Sequence, residues 1–202
     1  MSRYAYMRNP RRVLEGLLLF GMVVCLWGCD LPRDTETNTT KFSVTIAAIN
    51  DSKVLASDVL KNGATTDDCV DVKFLSMLET INGDSFYEIY GVGVQGSFDF
   101  IVLNTYTVVY QRSDGGQAPA SFTSRCNITL KPSFSKEAAA TETTAQIAVV
   151  LAFLKNQMPL RALQDSGQIY ASAEITFYGQ DGYGNELEVR GYLPISFGNF
   201  AD

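Results

Sequence analysis

The sequence predicts an all-β domain, an antiparallel β-sandwich of about seven or eight strands with one short helix, preceded by a leader and a tether. Three observations carry that expectation. Apolar and polar residues alternate with a period of two over most of residues 42–202, the pattern of strands buried on one face only. Turn-forming pairs punctuate the alternation: Asn62-Gly63, Asn82-Gly83, Asp114-Gly115 and Asp181-Gly182. The composition is globular, with 46% hydrophobic and 19% charged residues in 202, which is enough for one core. A closed barrel has the same alternation, so the period alone leaves it open beside the sandwich.

Residues 1–28 read as an address rather than as part of the fold. Arg3, Arg8, Arg11 and Arg12 make a basic start, and Gly16 to Gly28 is an uncharged apolar run of 13 residues. That is the layout of a secretory signal. A membrane span needs about 20 such residues, and extending the run backward meets Glu15. Leu26-Trp27-Gly28-Cys29 resembles the lipobox of bacterial lipoproteins, with Leu three places before the Cys and Gly just before it. Trp27 departs from the small or hydroxylated residue usual there. The resemblance implies cleavage before Cys29 and a diacylglycerol and acyl lipid (palmitate) on Cys29. It also implies a place in the bacterial cell envelope, on the inner membrane facing the periplasm or on the outer membrane. Asp30 resembles the inner-membrane retention signal of enterobacterial lipoproteins.

Cys29 and the polar, Thr-rich segment to Lys41 form a tether over residues 29–41, with a reach of roughly 20 Å as a coil. The domain then occupies residues 42–202. Phe42, Val44, Ile46 and Ala48 form the first apolar row, and Val70, Val72 and Phe74 another. Tyr87 to Val94 reads as a further strand. Phe98, Phe100 and Val102 open a long run that continues through Tyr106, Val108 and Tyr110. Phe122, Cys126, Ile128 and Leu130 follow. Glu137 to Ala162 starts Ala-rich, but Ile147 to Leu151 is fully apolar and largely β-branched, which predicts a strand and then a one- or two-turn helix near Pro159. Ile169 to Phe177 and Leu187 to Phe197 alternate cleanly and should pair as a hairpin, with Ile175, Phe177, Val189 and Ile195 inward.

This architecture resembles the immunoglobulin-like or fibronectin-type domains of bacterial envelope proteins. The stretch from Ile175 to Phe200, ITFYGQDGYGNELEVRGYLPISFGNF, is similar to the terminal hairpin of uncharacterised lipoproteins with such sandwiches. The resemblance brings no activity with it. The Cys…Trp…Cys signature of immunoglobulin cores is absent, because the one Trp lies in the leader.

Composition excludes several chemistries. The chain has no histidine, which removes Ser/His/Asp and Cys/His catalysis and His-ligated zinc. It carries 16 basic and 22 acidic side chains; without the leader 12 and 21 remain, a net charge of −9. Such a chain does not suit a phosphate backbone, so no nucleic acid is expected. Cys69 and Cys126 remain in an oxidising compartment and are expected to form a disulfide. Cys69, however, has the parity opposite to Val70, Val72 and Phe74, so the bridge needs a turn or bulge near Asp67-Asp68. Asp181, Asn185 and Glu186 in one Gly-rich loop, and Asp67, Asp68 and Asp71 in another, are weak candidates for calcium. Solvated turns are the plainer reading of both.

Among the tyrosines, Tyr87, Tyr90, Tyr106, Tyr110, Tyr170 and Tyr178 suit either cross-strand pairs within a sheet or a binding patch for a protein or glycan. The sequence therefore leads to a membrane-anchored envelope lipoprotein that serves as a non-catalytic binding or scaffold module, with no cofactor beyond the lipid. A small hydrolase using carboxylates and a calcium-dependent adhesion module are the alternatives.

Overall fold

The computed structural model describes residues 42–78, 80–81, 84–85, 97–133 and 140–200. The chain divides into two units, Met1–Thr35 and Glu36–Asp202. The first, with Leu26 to Cys29, lies outside the described residues, as does the strand expected at Tyr87 to Val94.

The second unit is all-β. Its strands are β1 (Phe42–Ile49), β2 (Leu55–Asp58), β3 (Asp68–Leu78), β4 (Thr80–Ile81), β5 (Asp84–Ser85), β6 (Ile101–Arg112), β7 (Phe122–Leu130), β8 (Thr141–Val150), β9 (Gln168–Asp181) and β10 (Glu186–Gly198). One helical turn, α1 (Ala152–Lys155), and a 3-10 turn at Leu160–Gln164 follow β8, as the apolar run broken near Pro159 predicts. Among the described residues no helix is long and apolar enough to cross a membrane.

Two main sheets form, in the orders β1-β3-β8 and β2-β10-β9-β6-β7, and β4 and β5 make a small separate pair. Among the described strands the pairings are antiparallel except β2 with β10. The inner faces of the main sheets meet. Phe74 of β3 sets its ring edge-on to Phe177 of β9, centroids 5.0 Å apart. Two hydroxyls of β6 reach the backbone of β8: Tyr106 donates to the Ala148 carbonyl at 2.8 Å, and Tyr110 donates to the Val149 carbonyl. Gly191 of β10 leaves room for Ile46 and Ile49 of β1, whose methyl tips stand 3.0 and 2.8 Å from where a Cβ would lie.

The predicted hairpin is present, with Val189 opposite Phe177 and Ile195 opposite Ala171. Ile175, Phe177, Val189 and Ile195 are buried, while Glu188 and Arg190 face solvent. Elsewhere the simple period fails. The register of β6 shifts between Leu103 and Thr105. Ile101 and Leu103 are therefore buried before the shift, and Tyr106, Val108 and Tyr110 after it. The even-numbered row from Phe98 to Tyr110 is thus not one face: Phe98 precedes the strand and is exposed. A bulge inserts one residue and moves every later side chain to the other face. The short parallel strand β2 was not expected. Its ladder spans only Ile195–Gly198 of β10 and starts directly after Pro194, which has no N–H to offer a neighbour.

Candidate binding face and the buried ion pair

Among the described residues, the outer face of the five-stranded sheet carries the exposed tyrosines. Alternation turns the even-numbered residues of β9 outward, and Tyr170 and Tyr178 are 57% and 40% exposed. Tyr192 of β10 is 62% exposed and Val109 of β6 51%. Register places them in rows. Glu174 lies between Tyr192 and Val109, and Tyr178 between Glu188 and Thr105. Arg190 stands among these rows, 2.9 Å from Glu174 and 2.7 Å from Glu188. The hydrogen bond to Glu188, then Glu174 and Tyr192, hold its guanidinium above its ordinary pKa. In water such exposed pairs add little stability; they fix how charge is spaced between the rings.

At one end of this face the β6 bulge opens a groove of about 330 Å³. Asn104, Thr105, Tyr178, Gln180 and Glu186 line it around Gly179. Gly179 is required here by close approach: a Cβ would stand 2.2 Å from the Val102 carbonyl oxygen. The glycine lets β6 and β9 stay paired across the irregularity.

The second feature lies inside the domain. Lys155 of α1 is fully buried. Its Nζ is 3.0 Å from both oxygens of Asp68 and donates to the Asp58 carbonyl at 2.7 Å. Ser57, also fully buried, donates to Asp68 Oδ2 at 2.5 Å. The cluster fastens β2, β3 and α1 with the ammonium paired to a carboxylate and hydrogen-bonded to a carbonyl, which is how a buried charge is tolerated. Ser57 is closed to solvent and turned toward a carboxylate, so the group is a fastening rather than a nucleophile. The sequence does hold a signal for it: Lys155 is the one charged residue between Glu142 and Arg161.

The acidic candidates take other partners. Asp67 accepts from the Ala152 N–H at 2.6 Å, at the start of α1. Asp68 belongs to the ion pair, and Asp71 is exposed on β3. In the other loop Asp181 is buried. Its carboxylate accepts from the Tyr183 and Asn185 N–H groups and from the Asn185 side-chain amide, at 3.0, 2.9 and 2.9 Å. The loop is thus a closed hydrogen-bonded turn, not the solvated turn that the Gly-rich sequence implied. Glu186 stands outside it and is exposed. Tyr183 packs beside Phe98, with ring centroids 6.1 Å apart, and donates to Asp99 at 2.7 Å. Burial, and then that carboxylate, push its phenol up to about 12. Among the described residues no three Cys, Asp or Glu side chains converge as a metal site would require.

The disulfide expected between Cys69 and Cys126 is not formed, and both are free thiols. The register of β3 does shift between Asp68 and Cys69, yet Cys69 remains exposed while Val70 is buried. Cys126, half-buried on β7 of the other sheet, donates to the Leu103 carbonyl at 3.3 Å. Burial raises both thiol pKa values, with Asp67 and Asp68 adding to the effect at Cys69. Little of either is the thiolate that oxidation requires. Of the tyrosines considered from the sequence, Tyr106 and Tyr110 belong to the core and Tyr170 and Tyr178 to the outer face. Tyr87 and Tyr90 lie outside the described residues.

No protein-family model matches the chain. No curated protein matches it either. Among solved structures it is similar to the solution structure of a putative late embryogenesis abundant (LEA) protein, at 10% identity and a TM-score of 0.36, covering 98% of this chain and 95% of that one. That overlap is too loose to carry an argument about fold or function.

Proposed function

We propose that the chain is a lipid-anchored lipoprotein of the bacterial cell envelope whose β domain is a non-catalytic binding or scaffold module. One observation carries the binding part. The outer face of the five-stranded sheet exposes Tyr170, Tyr178, Tyr192 and Val109, with Arg190 and its two carboxylates spaced between them. Tyrosines offer large, stiff contact surfaces with a polar tip, the chemistry that recognition surfaces favour. The anchor rests on Leu26-Trp27-Gly28-Cys29 behind a basic and apolar leader. The tether of residues 29–41 would hold the face near the membrane yet free to reorient.

Strand order supports the finer reading of the domain as immunoglobulin-like. If β1 and β2 are the two halves of a split first strand, then β3 and β8 take the places of B and E in one sheet. In the other sheet β10, β9 and β6 take those of G, F and C, with β7 added beside C.

The anchor is tested by labelling cells with a fatty-acid analogue. The wild-type chain should incorporate label, and Cys29→Ala should abolish it and leave an unprocessed precursor. Normal labelling of Cys29→Ala would remove the anchor from this reading. Crosslinking in native envelopes tests the module. Capture of a partner that is lost on Tyr192→Ala supports it, and a crosslinking pattern unchanged by that substitution counts against this face.

A further inference from the structure

We infer that the groove at the β6 bulge binds a neutral saccharide. This rests on the reading of the domain as a binding module and names its ligand class. Three properties of the groove point to a sugar. Its volume, about 330 Å³, is at the small end of ligand sites and suits a ring-sized guest rather than a protein chain. Its lining joins one aromatic face, Tyr178, to side chains that both donate and accept: the amides of Asn104 and Gln180 and the hydroxyl of Thr105. A pyranose presents that pair of demands, an apolar C–H face on one side and a ring of hydroxyls, each donor and acceptor, around it. Third, Glu186 is the only ionisable carboxylate or ammonium on the lining, in a chain of net charge −6. Charge complementarity therefore turns away phosphorylated and carboxylated ligands and admits an uncharged polyol, whose hydroxyls Glu186 accepts.

The site is also preformed. It lies on β6 and β9, each paired on both sides, and on the first residues of β10, which pair there with β9. The bulge and Gly179 fix the spacing of its walls, because nothing larger than a hydrogen fits between Gly179 and the Val102 carbonyl. A guest would meet its partners already in place, which lowers the ordering cost of binding.

The test is isothermal titration calorimetry of the full chain in a zwitterionic detergent, since glucoside detergents would compete. The probes are chitotetraose, maltotetraose and cellotetraose. At least one should bind. Tyr178→Ala should weaken that binding about tenfold, near the upper end of what one aromatic contact contributes, and Gln180→Ala should weaken it in the same direction. Phe153→Ala should leave it unchanged, because Phe153 is an exposed ring on α1 and does not line the groove. Absence of binding by all three sugars at millimolar concentration overturns the inference. So does binding that survives both groove substitutions. Capture of a protein partner through Tyr192 alongside absent sugar binding would sink the saccharide while leaving the module standing; loss of both would sink the module as well.

Discussion

A lysine ammonium held away from water is tolerated only if its protons are shared, and Lys155 shares its own with Asp68 and the Asp58 carbonyl. The cost of disturbing the pair depends on which partner goes. Asp68→Ala leaves a fully buried cation facing one carbonyl and should destabilise by about 3–5 kcal/mol. Adding Lys155→Met removes the stranded charge and should recover most of that loss. Urea melts of the two variants decide it: equal losses for single and double would mean that the ion pair is not what fastens β2 and α1 to β3. The same residue scale explains the two cysteines. Parity along β3 already set Cys69 opposite to its buried neighbours, and the bulge at Asp68 does not turn it inward but leaves it exposed. That much was legible in the alternation. The partner of Lys155 was not, because Asp68 lies 87 residues away and nothing in a one-dimensional pattern joins them.

At the scale of elements, legibility followed regularity. The hairpin of β9 and β10 alternates without interruption through its apolar positions, so its pairing and its inward residues were readable before any coordinate. In β6 the row through Val102 and Tyr106 looked continuous, but the bulge at Asn104 exchanged faces within it. A bulge adds one residue and carries no composition of its own, so it is invisible unless its partner strand is known. The sign of it was Gly179, a glycine inside an otherwise well-formed strand. The two interior glycines of the hairpin now make a prediction. At Gly179 a Cβ would strike backbone, the Val102 carbonyl at 2.2 Å. At Gly191 it would meet only the methyl ends of Ile46 and Ile49, which can turn aside. Gly179→Ala should therefore cost about 3 kcal/mol, the upper end for overpacking, and Gly191→Ala about 1 kcal/mol or less. Denaturant midpoints of the two variants check the order; Gly191→Ala as the more damaging change would place the close approach in the wrong strand pair.

For the whole molecule, the period of two gave the all-β class, but not which strands share a sheet. That partition is set by contacts such as Phe74 with Phe177 and Tyr106 with the Ala148 carbonyl, made between residues far apart in sequence. The face that carries Tyr170, Tyr178 and Tyr192 became a surface only once register aligned the strands. The domain's electrostatics likewise act on the fold as a unit, and they predict its response to pH. The chain has no histidine, the side chain whose ordinary pKa lies in the neutral range, so stability should be nearly level there. On the acid side, the Arg112 guanidinium beside Asp114 holds that carboxyl at about 2 instead of 3.8. Its folded pKa is lowered, so its contribution is whole above 3.8 and lost as pH falls toward 2. Asp114 is exposed, and this limb should be shallow. On the alkaline side, Tyr183 is pushed up from 10 to about 12 by burial and then by Asp99. Its folded pKa is raised, so its contribution is whole below pH 10 and lost as pH rises through 12. Tyr110, also raised by burial, acts in the same direction. Thermal melts across pH should show a plateau through neutrality and a fall that begins near pH 10, the ordinary tyrosine value. Tyr183→Phe has no phenol to ionise, so it should be less stable on the plateau, where the bond to Asp99 is missing, and should fall less steeply above it. An alkaline limb equally steep in both proteins would show that Tyr183 does not couple its proton to the fold.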